Sequence, residues 1–487
     1  MASSISWERY RNFINGEWAP SVGQAWIQRT NPANQSERIG EVPDSTAEDV
    51  ELAVTAANLA LNAWRRLAGA ERGNLLYRAA DLVEKHKREL ARLATREMGK
   101  TLMEMTQEVA RGADILRYYA GEGMRKTGDV IPSANRDHLL FTTRVPMGVA
   151  ALITPWNFPV AIPLWKLAPA LVYGNTVIWK PSPEASITAV KLTGLLAEAG
   201  FPPGVVNLVH GGKKTGEAMV SHPRVQAVSF TGSNAAGRQI AIEAARTGKK
   251  VQLEMGGKNP VIVTDKADLD KSVRMTISGA MKSAGQKCTA TSRAIVFRSV
   301  YDDFKEKLLE EVKQITVGDG LNEAAWMGPL VSQSQWDKVM SYIRQGLSEG
   351  AELLCGGKRP EGADYEQGFF IEPTVFANVT TEMTLAQEEI FGPVLALMVV
   401  DSLEEALQLA NDVRFGLSAS IFTEDIQEAM QFIQDMEAGM IRINGESAGV
   451  ELQAPFGGMK ASSSYSKEQG TAAIEFYTTS KTVTICG

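Results

Sequence analysis

Residues 227–237 read Ala-Val-Ser-Phe-Thr-Gly-Ser-Asn-Ala-Ala-Gly, a short apolar run that leads into two glycines five positions apart. The run Ala227–Phe230 predicts a buried strand, and residues 235–247 predict the helix that follows it. A helix that begins directly after a strand offers free backbone N–H groups, which suit the pyrophosphate of a nucleotide. The stretch is not a P-loop, because Arg238 follows the second glycine, and it is not the GxGxxG fingerprint. It therefore indicates one strand–helix unit with an anion-binding turn.

The sequence around this unit repeats the same alternation of short apolar runs and helical stretches between Val149 and Val263. Four runs have the character of buried strands: Val149–Ile153, Thr176–Trp179, Val205–Val209 and Ala227–Phe230. Residues 185–199 form one of the helical stretches between them. Such alternation predicts βαβ units, a mostly parallel sheet and right-handed crossovers. The predicted fold class is therefore α/β.

A second α/β region is predicted from about Gly256 to Pro455. Its strand-like runs are Ala294–Phe297, Leu395–Val400 and Ala419–Phe422. Ahead of both regions, residues 45–66 predict an amphipathic helix, for which we expect Ser45 and Glu48 to form the capping box. More helical sequence follows from Glu71 to about Tyr119. Helices thus precede the first sheet.

Two further segments lie outside both α/β regions: Asp129–Val145 and Phe476–Ile485. Both have the alternating apolar and polar pattern that favours half-buried strands. They could pair with each other as a protruding sheet, although two separate surface hairpins would give the same pattern. The sequence leaves both arrangements open.

The composition argues against several functional classes. A chain of 487 residues is long enough for two or three domains, and its net charge of -7 disfavours a nucleic-acid partner. No run approaches 18 apolar residues and the first 11 residues carry no apolar signal core, so we expect neither a membrane span nor export. Three cysteines cannot form a disulfide framework, which favours the cytoplasm, and four scattered histidines argue against a metal site.

Three short segments carry residue types that could do covalent chemistry. Cys288 lies in Gly285-Gln286-Lys287-Cys288-Thr289 and is a candidate nucleophile, although most free cysteines are buried and inert. Glu254 ends a strand-like run before a double glycine, where it is a candidate base or an ordinary solvated acid. Asn157 lies between aromatic residues and prolines after a strand, and its amide could donate to an oxyanion.

Two more segments suit a bound nucleotide. Trp179-Lys180-Pro181-Ser182 places a lysine at the carboxyl end of a predicted strand, where open α/β sheets bind ligands. Glu388-Glu389-Ile390-Phe391-Gly392-Pro393 is the second segment. Each is weak evidence alone, so their order along the chain matters more than either one.

Taken in order, these motifs closely resemble those of the aldehyde dehydrogenase superfamily. The resemblance runs from Phe13-Ile14-Asn15-Gly16-Glu17-Trp18 to Pro455-Phe456-Gly457-Gly458-Met459-Lys460, and Glu254 precedes Cys288 by the 34 residues usual in that family. It implies that Cys288 is the nucleophile, Glu254 the general base, and Asn157 an oxyanion donor together with the Cys288 backbone N–H. No histidine lies in these motifs, so a Cys/His hydrolase finds no support.

The resemblance also implies an architecture. It predicts a Rossmann-like dinucleotide-binding domain (residues 1–125 and 147–255) and an α/β catalytic domain (256–456). A small bridging β-sheet (126–146 and 470–487) would build homodimers, often paired into homotetramers. The two unattached segments fall within the ranges expected for that sheet.

The implied cofactor is NAD or NADP. The expected cofactor-binding residues are Ile153, Thr154, Pro155, Trp156, Lys180, Ser182, Pro183, Glu184, Phe230, Gly232, Ser233, Gly237, Gly256, Glu389 and Phe391. Many NAD-preferring relatives carry a glutamate three residues after the lysine, where it repels a 2′-phosphate. Pro183 occupies that position here and the acid is Glu184, so the sequence leaves the choice between NAD and NADP open.

The expected substrate-binding residues combine aromatic walls with a basic end: Phe158, Trp165, Lys282, Lys287 and Phe456. The nearest resemblance within the family is to the 2-oxoglutarate semialdehyde dehydrogenases, carried by residues 161–166, 285–291 and 447–455. A succinic semialdehyde or broad-specificity aldehyde dehydrogenase is the alternative. A redox-silent thioesterase and a crystallin-like structural protein are remote ones, because the whole dinucleotide set and all catalytic residues are retained.

Overall fold

Two seven-stranded sheets form the framework of residues 8–487, the part of the chain that the computed structural model describes. The prediction that the start of the chain lacks an export signal concerned residues 1–11, and residues 1–7 lie outside the described part. No helix of the described part combines the length and the apolar character that crossing a bilayer requires.

The strands are β1 (Asn12–Ile14), β2 (Glu17–Ala19), β3 (Trp26–Asn31), β4 (Asn34–Pro43), β5 (Val130–Ile131), β6 (His138–Pro146), β7 (Val149–Thr154), β8 (Thr176–Pro181), β9 (Val206–Leu208), β10 (Ala227–Thr231), β11 (Lys250–Glu254), β12 (Asn259–Val263), β13 (Thr291–Phe297), β14 (Glu352–Cys355), β15 (Thr374–Ala377), β16 (Val394–Val400), β17 (Phe415–Gly416), β18 (Ser418–Phe422), β19 (Met440–Ile443), β20 (Met459–Lys460) and β21 (Thr478–Cys486).

The helices are α1 (Ala47–Arg66), α2 (Gly69–Lys85), α3 (Lys87–Met98), α4 (Leu102–Glu122), α5 (Ala161–Val172), α6 (Ser186–Glu198), α7 (Lys213–Ser221), α8 (Asn234–Thr247), α9 (Leu269–Met281), α10 (Arg298–Val312), α11 (Gln333–Ser348), α12 (Ala363–Glu366), α13 (Thr384–Gln387), α14 (Leu403–Asn411), α15 (Ile426–Asp435) and α16 (Ala473–Tyr477).

The first sheet has the strand order β11-β10-β7-β8-β9-β1-β2. Within the group β7 to β11, every pair of neighbouring strands is parallel. Strand β1 pairs antiparallel with β9 and with β2. Alternate residues of β7 enter different apolar clusters: Ala150 and Leu152 pack with α4 and α5, and Val149 and Ala151 pack with α1 and α7. Both faces of the sheet are therefore covered, which explains why its strands are continuous apolar runs.

The register of the parallel strands aligns several of the expected site residues at one edge. Ile153 pairs with both Lys180 and Phe230, and Thr231 pairs with Glu254. Because parallel strands end at the same edge, these residues lie at the carboxyl end of the sheet, where open α/β folds bind ligands. The predicted parallel βαβ arrangement of this region is confirmed.

The second sheet has the order β14-β15-β16-β13-β12-β18-β19 and is parallel apart from the pairing of β14 with β15. The segment 255–258 passes from β11 of the first sheet to β12 of the second. Cys288 lies between α9 and β13, so it belongs to the second sheet. The chemistry-bearing residues therefore come from both sheets and meet between them.

A third sheet has the order β21-β6-β5. Strand β21 pairs antiparallel with β6 along its full length, from Thr478 opposite Pro146 to Cys486 opposite His138. The two segments that the sequence left unattached therefore pair with each other: the first is a hairpin of β5 and β6, and β21 of the second adds to β6 as a further strand.

The predicted cap of α1 is wrong by one residue. The residue before the helix is Thr46, and its backbone N–H donates to the side chain of Asp49 at 2.8 Å, in place of the expected Ser45 and Glu48. Ser45 is unavailable because its hydroxyl is buried and accepts a 2.9 Å hydrogen bond from Asn12. A tertiary contact has thus displaced the local signal.

Candidate active site

The turn that carries Cys288, residues 286–290, is held by side chains from three other segments. Asn157 donates to the carbonyl of Gln286 at 3.1 Å, and Asn259 donates to the carbonyl of Cys288 at 2.8 Å. Ser447 donates to the carbonyl of Thr289 at 3.0 Å. Since each backbone carbonyl has a fixed donor, the turn presents the half-buried Cys288 side chain in one orientation.

A glycine brings this turn against the segment that contains Glu389. Gly285 has a φ of +67°, and a β-carbon built on it would lie 2.0 Å from the carbonyl oxygen of Gly392. Any other residue at position 285 would both strain the backbone and push the two segments apart. The nucleophile turn and the Glu389 segment are thus in direct contact.

The surroundings of Cys288 favour the protonated thiol over the thiolate. Burial, and after it the nearby carboxylates of Glu389 and Glu254, raise the pKa of the thiol to about 12, although the backbone N–H groups of Thr289 and Cys288 act in the opposite direction. A thiolate is the reactive form of cysteine. The site must therefore remove a proton from Cys288 before the sulfur can add to a substrate.

Asn157 is placed beside this turn by β7, which ends three residues earlier. Its side chain is 3% exposed, and one of its two amide hydrogens is used in the bond to Gln286. An amide nitrogen carries two hydrogens, so one remains to donate to another group. The structure therefore brings Asn157 and the Cys288 turn together.

Glu254 ends β11 and is 1% exposed. Its Oε2 accepts a 2.6 Å hydrogen bond from Ser463, and Oε1 has no hydrogen-bonding protein group within residues 8–487. Burial raises the pKa of this carboxyl well above its usual range, and Glu468 raises it further, whereas Ser463, Lys166 and Lys467 lower it. A buried carboxyl with a raised pKa is suited to proton transfer near neutral pH.

A buried polar cluster behind Glu254 was not foreseen from the sequence. Glu468 forms an ion pair with Lys166 and accepts hydrogen bonds from Trp165 at 2.8 Å and from Ser229 at 3.1 Å. Lys166 also donates to Ser229 at 2.8 Å. Nothing local marks these residues, because each is an ordinary polar residue whose partner is far away along the chain.

Lys180 lies at the carboxyl edge of the first sheet, and its amine points into the protein. Lys180 is 6% exposed and donates to the carbonyls of Pro181 at 3.1 Å and Gly211 at 2.9 Å. Burial lowers its pKa to about 8, an effect that Glu184 and Asp44 oppose. Ser182 donates to the carboxylate of Glu184, and Pro183 starts the short 3₁₀ turn between them.

The start of α8 uses its two glycines for packing. The N–H of Gly232 donates to the carbonyl of Glu254 at 3.0 Å, and the N–H of Gly237 donates to that of Ser233 at 2.9 Å. A β-carbon on Gly237 would lie 2.5 Å from the sulfur of Met255. The amides left for an anion are therefore those of Asn234 and Ala235, because Ala236 donates to the side chain of the cap residue Ser233 at 3.3 Å.

Glu389 reaches the segment that joins the two sheets. Its Oε1 accepts a 3.1 Å hydrogen bond from the N–H of Gly257, and a β-carbon on Gly256 would lie 2.2 Å from its Oε2. Burial raises the pKa of Glu389, and the bond from Gly257 lowers it. The ring of Phe391 meets that of Trp156 edge-on at 5.4 Å. The expected residues 153–156 and 389–391 are therefore brought together.

The three expected aromatic residues have different neighbours: Trp165 and Phe456 contact each other, and Phe158 contacts Lys100. Cys288 packs against the apolar cluster of Leu417, Met440 and Phe456, and the Phe456 ring lies 5.4 Å from that of Trp165. The Phe158 ring lies under the ammonium group of Lys100, which is 3.4 Å from the ring centroid. Phe456 thus belongs to the apolar cluster beside Cys288.

The two expected basic residues differ in their surroundings. The side chain of Lys287 is almost fully buried with its ammonium group 3.5 Å from the carbonyl of Ser278, and burial lowers its pKa. Lys282 follows α9, is half-buried, and has no hydrogen-bond or ion-pair partner within residues 8–487. Lys282 therefore has the ammonium group that is free to meet a ligand.

The residues at the cofactor edge fit a dinucleotide. Lys180 and the start of α8 lie at the carboxyl ends of parallel strands, where open α/β sheets bind ligands. Glu389 reaches the same edge by its contact with Gly256 and Gly257, which follow β11. Within residues 8–487 no group of three or more histidine, cysteine, aspartate or glutamate side chains could hold a metal ion.

Comparisons with known proteins agree with this geometry. The model of the aldehyde dehydrogenase family matches residues 18–483. The alpha-ketoglutaric semialdehyde dehydrogenase of Bacillus subtilis (strain 168) is 60% identical over 475 residues, which cover 97% of each chain. The alpha-ketoglutarate semialdehyde dehydrogenase of Haloferax volcanii is 44% identical over 479 residues, 97% of this chain and 98% of that one.

Among solved structures, betaine aldehyde dehydrogenase from Staphylococcus aureus in complex with NAD+ superposes with a TM-score of 0.95 at 37% identity. The match covers 98% of this chain and 94% of that one. Fold, site and sequence agree along almost the whole length. The chain therefore belongs to the aldehyde dehydrogenase family and is an NAD(P)-dependent oxidoreductase that acts on an aldehyde group.

Proposed function

We propose that Cys288 forms a thioester with the aldehyde substrate, that Asn157 stabilises the oxyanion of the addition step, and that Glu254 is the base for hydrolysis. The observation that carries this proposal is the hydrogen bond from Asn157 to Gln286, which fixes an amide donor next to the only cysteine in a held turn. A nucleophile and an oxyanion donor held in one arrangement are what acyl-transfer chemistry requires.

In the addition step, the Cys288 thiol gives up its proton to solvent water and the sulfur adds to the aldehyde carbon. The carbonyl oxygen then becomes an oxyanion that accepts hydrogen bonds from Asn157 and from the Cys288 backbone N–H. One preorganised donor of this kind contributes about 3–4 kcal/mol. The oxyanion makes the aldehydic hydrogen a good hydride donor, and bound NAD(P) supplies the acceptor for it.

In the hydrolysis step, Glu254 accepts a proton from water while the water oxygen attacks the thioester carbon. The carbon–sulfur bond breaks with its electron pair on sulfur, so Cys288 is released as a thiolate and the carboxylic acid leaves the site. The raised pKa of Glu254 suits this role, because a carboxylate with a raised pKa takes up a proton more readily than an ordinary one.

For the cofactor, we propose that Lys180, Ser182 and the Pro183–Glu184 turn bind the adenosine ribose. The pyrophosphate would bind at the first turn of α8, which follows Gly232 and Ser233. Glu389 would hold the nicotinamide ribose beside Phe391. The remaining residues of the expected set would line the same edge: Ile153, Thr154, Pro155, Trp156, Phe230, Gly237 and Gly256. Residues 1–125 and 147–255 would form the dinucleotide-binding domain, and residues 256–456 the catalytic domain.

The choice between NAD and NADP depends on Glu184. Glu184 lies one residue after the position where a glutamate repels a 2′-phosphate. Its carboxylate accepts a hydrogen bond from Ser182, which holds it away from that position. We therefore propose that the chain accepts both cofactors.

As the substrate we propose 2-oxoglutarate semialdehyde, as the names of the Bacillus subtilis and Haloferax volcanii relatives suggest. The free ammonium group of Lys282 supports a substrate with a carboxylate, because a charge-assisted hydrogen bond would anchor that end. Phe456 and Trp165 would contact the carbon chain between the anchor and Cys288. Lys287 and Phe158 would line the same pocket.

We also propose a homodimer or homotetramer in the cytoplasm. Strands β21 and β19 are both sheet edges, and Ile485 and Ile443 on them have exposed side chains. An edge strand carries unpaired N–H and C=O groups that can pair with another chain. The three free cysteines, Cys288, Cys355 and Cys486, fit a reducing compartment.

The experiment that tests the proposed function compares aldehydes and semialdehydes with both cofactors, followed by the absorbance of the reduced cofactor. We expect 2-oxoglutarate semialdehyde to have the highest kcat/KM, ahead of succinic and glutaric semialdehydes, and butanal and benzaldehyde to follow. A wild-type enzyme that prefers butanal or benzaldehyde to every semialdehyde would overturn the substrate proposal.

A further inference from the structure

The hydroxyl group of Ser463 lies between Glu254 and the turn that carries Phe456. It donates to Glu254 Oε2 at 2.6 Å and accepts from the N–H of Gly458, also at 2.6 Å. The two segments are also joined by backbone: Met255 donates to Ser462 at 2.8 Å, and Ser464 donates to Leu253 at 3.1 Å. Ser463 therefore has a fixed position relative to Glu254.

The bond from Gly458 decides where the Ser463 hydroxyl hydrogen points. A hydroxyl has one hydrogen, and an N–H group can only donate. Because Gly458 donates to Oγ, the hydrogen of Ser463 is left for Glu254 Oε2. Ser463 thus presents a donor to the carboxylate and favours its ionised form.

The other carboxylate oxygen is left for chemistry. Oε1 of Glu254 is buried, and no protein group among residues 8–487 hydrogen-bonds to it. A β-carbon built on Gly457 would lie 2.7 Å from Oε1, so any other side chain at that position would take the space beside this oxygen. The two oxygens therefore have different roles, one as anchor and one as acceptor.

We propose that Ser463 is a positioning residue that anchors Glu254 through Oε2, so that the carboxylate meets the acyl-enzyme ionised and with Oε1 as the basic oxygen. The inference rests on the proposed function, in which Glu254 is the base for hydrolysis. Four further charged or titratable groups face Glu254: Glu468, Lys467, Lys166 and Cys288. They remain in place when Ser463 is changed, so the effect of the hydroxyl can be measured against a constant background.

The test uses an activated ester, p-nitrophenyl acetate, with the full-length enzyme. The ester acylates Cys288 without any hydride step, so the burst reports acylation and the steady rate reports hydrolysis. In Ser463→Ala the midpoint of the pH dependence of the steady rate should rise by about one unit, because a hydrogen bond to the charged form is lost. Below both midpoints the steady rate should fall roughly tenfold, and above them it should equal that of the wild type.

Two variants control this measurement. Ser463→Thr keeps the hydroxyl and should restore the wild-type midpoint. Ser464→Ala removes a hydroxyl in the same turn that accepts from the N–H of Leu253 at 2.9 Å and does not contact Glu254, so its midpoint should stay unchanged. Should Ser463→Ala fail to fold, Ser463→Cys makes the same measurement, because a thiol is only a weak donor.

The inference would be overturned if the pH midpoint of the steady hydrolysis rate in Ser463→Ala equalled that of the wild type. It would also be overturned if this rate fell by the same factor at every pH. Glu254→Gln separates this outcome from a failure of the proposed function. If Glu254→Gln hydrolyses the acyl-enzyme at the wild-type rate, the base assignment itself is wrong. If Glu254→Gln stalls while Ser463→Ala keeps its midpoint, only the role of Ser463 is wrong.

Discussion

The side-chain amide of Asn157 donates a 3.1 Å hydrogen bond to the backbone carbonyl of Gln286, two residues before Cys288. Asn157 follows β7 of the first sheet, whereas Gln286 precedes β13 of the second. Both residues are buried, so the bond joins the two halves of the reaction centre away from water. Because a buried polar group is costly to leave unpaired, the two residues should keep their relative positions throughout the reaction.

Replacing Asn157 with alanine should lower kcat by on the order of 10²–10³, because in the proposed mechanism its amide contacts an oxyanion that exists only in the addition step. The dissociation constant of NAD(P), measured by fluorescence titration, should change little. Asn322→Ala, on an exposed loop, is the matched control and should behave as the wild type. A variant whose only defect is weak NAD(P) binding would contradict the assignment.

Changes to Cys288 and Glu254 should separate the two chemical steps. Cys288→Ala should abolish oxidation, because no other residue in the turn forms a thioester. Glu254→Gln should release a burst of reduced cofactor close to the enzyme concentration and then stall, since hydrolysis lacks its base. Rapid-mixing absorbance measurements give both phases. Glu424→Gln, at an exposed position, serves as the control. If Glu254→Gln turned over steadily near the wild-type rate, Glu254 would not be the base.

Lys282→Ala should erase most of the preference for semialdehydes. The lost charge-assisted hydrogen bond is worth about 1.5–3 kcal/mol, or roughly ten- to hundred-fold in kcat/KM. Activity on butanal should remain, because an uncharged chain has nothing to pair with the ammonium group. Lys307→Ala, which removes an exposed ion pair with Asp270, is the control. Equal losses on charged and uncharged substrates would make Lys282 a structural residue.

Gly256→Ala should weaken NAD(P) binding strongly, because its β-carbon would lie 2.2 Å from Glu389 Oε2 and displace the carboxylate. We expect the dissociation constant to rise by an order of magnitude or more, while the chain still folds, and circular dichroism checks the fold. Gly194→Ala is the matched control, since the nearest atom to its β-carbon is 4.0 Å away. Unchanged NAD(P) affinity in Gly256→Ala would separate Glu389 from the cofactor.

Much of the first sheet could be predicted because its signal is local. The runs at 149–153 and 227–230 are apolar along their whole length, and both form strands at the expected positions. The predicted cap of α1 is wrong because a distant residue determines it: Asn12, 33 residues earlier, donates a hydrogen bond to the hydroxyl of Ser45. Contacts of this kind leave no periodic pattern in a sequence.

The candidate site shows the same division. Cys288, Glu254 and Asn157 lie in motifs that the family resemblance identifies, so they could be named before their geometry was known. Ser463 and Glu468 could not, because each acts through a partner more than 200 residues away: Glu254 for Ser463 and Lys166 for Glu468. The supporting groups of a site are visible only once the chain is folded.

The passage of the chain from one sheet to the other has a consequence for heat inactivation. Asn157 and Glu254 move with the first sheet, and Cys288 moves with the second, so their alignment depends on the boundary between two separate apolar cores. Local opening at such a boundary needs less free energy than melting either core. On warming, the enzyme should therefore stop working before its helices and strands are lost, and on prompt cooling it should recover.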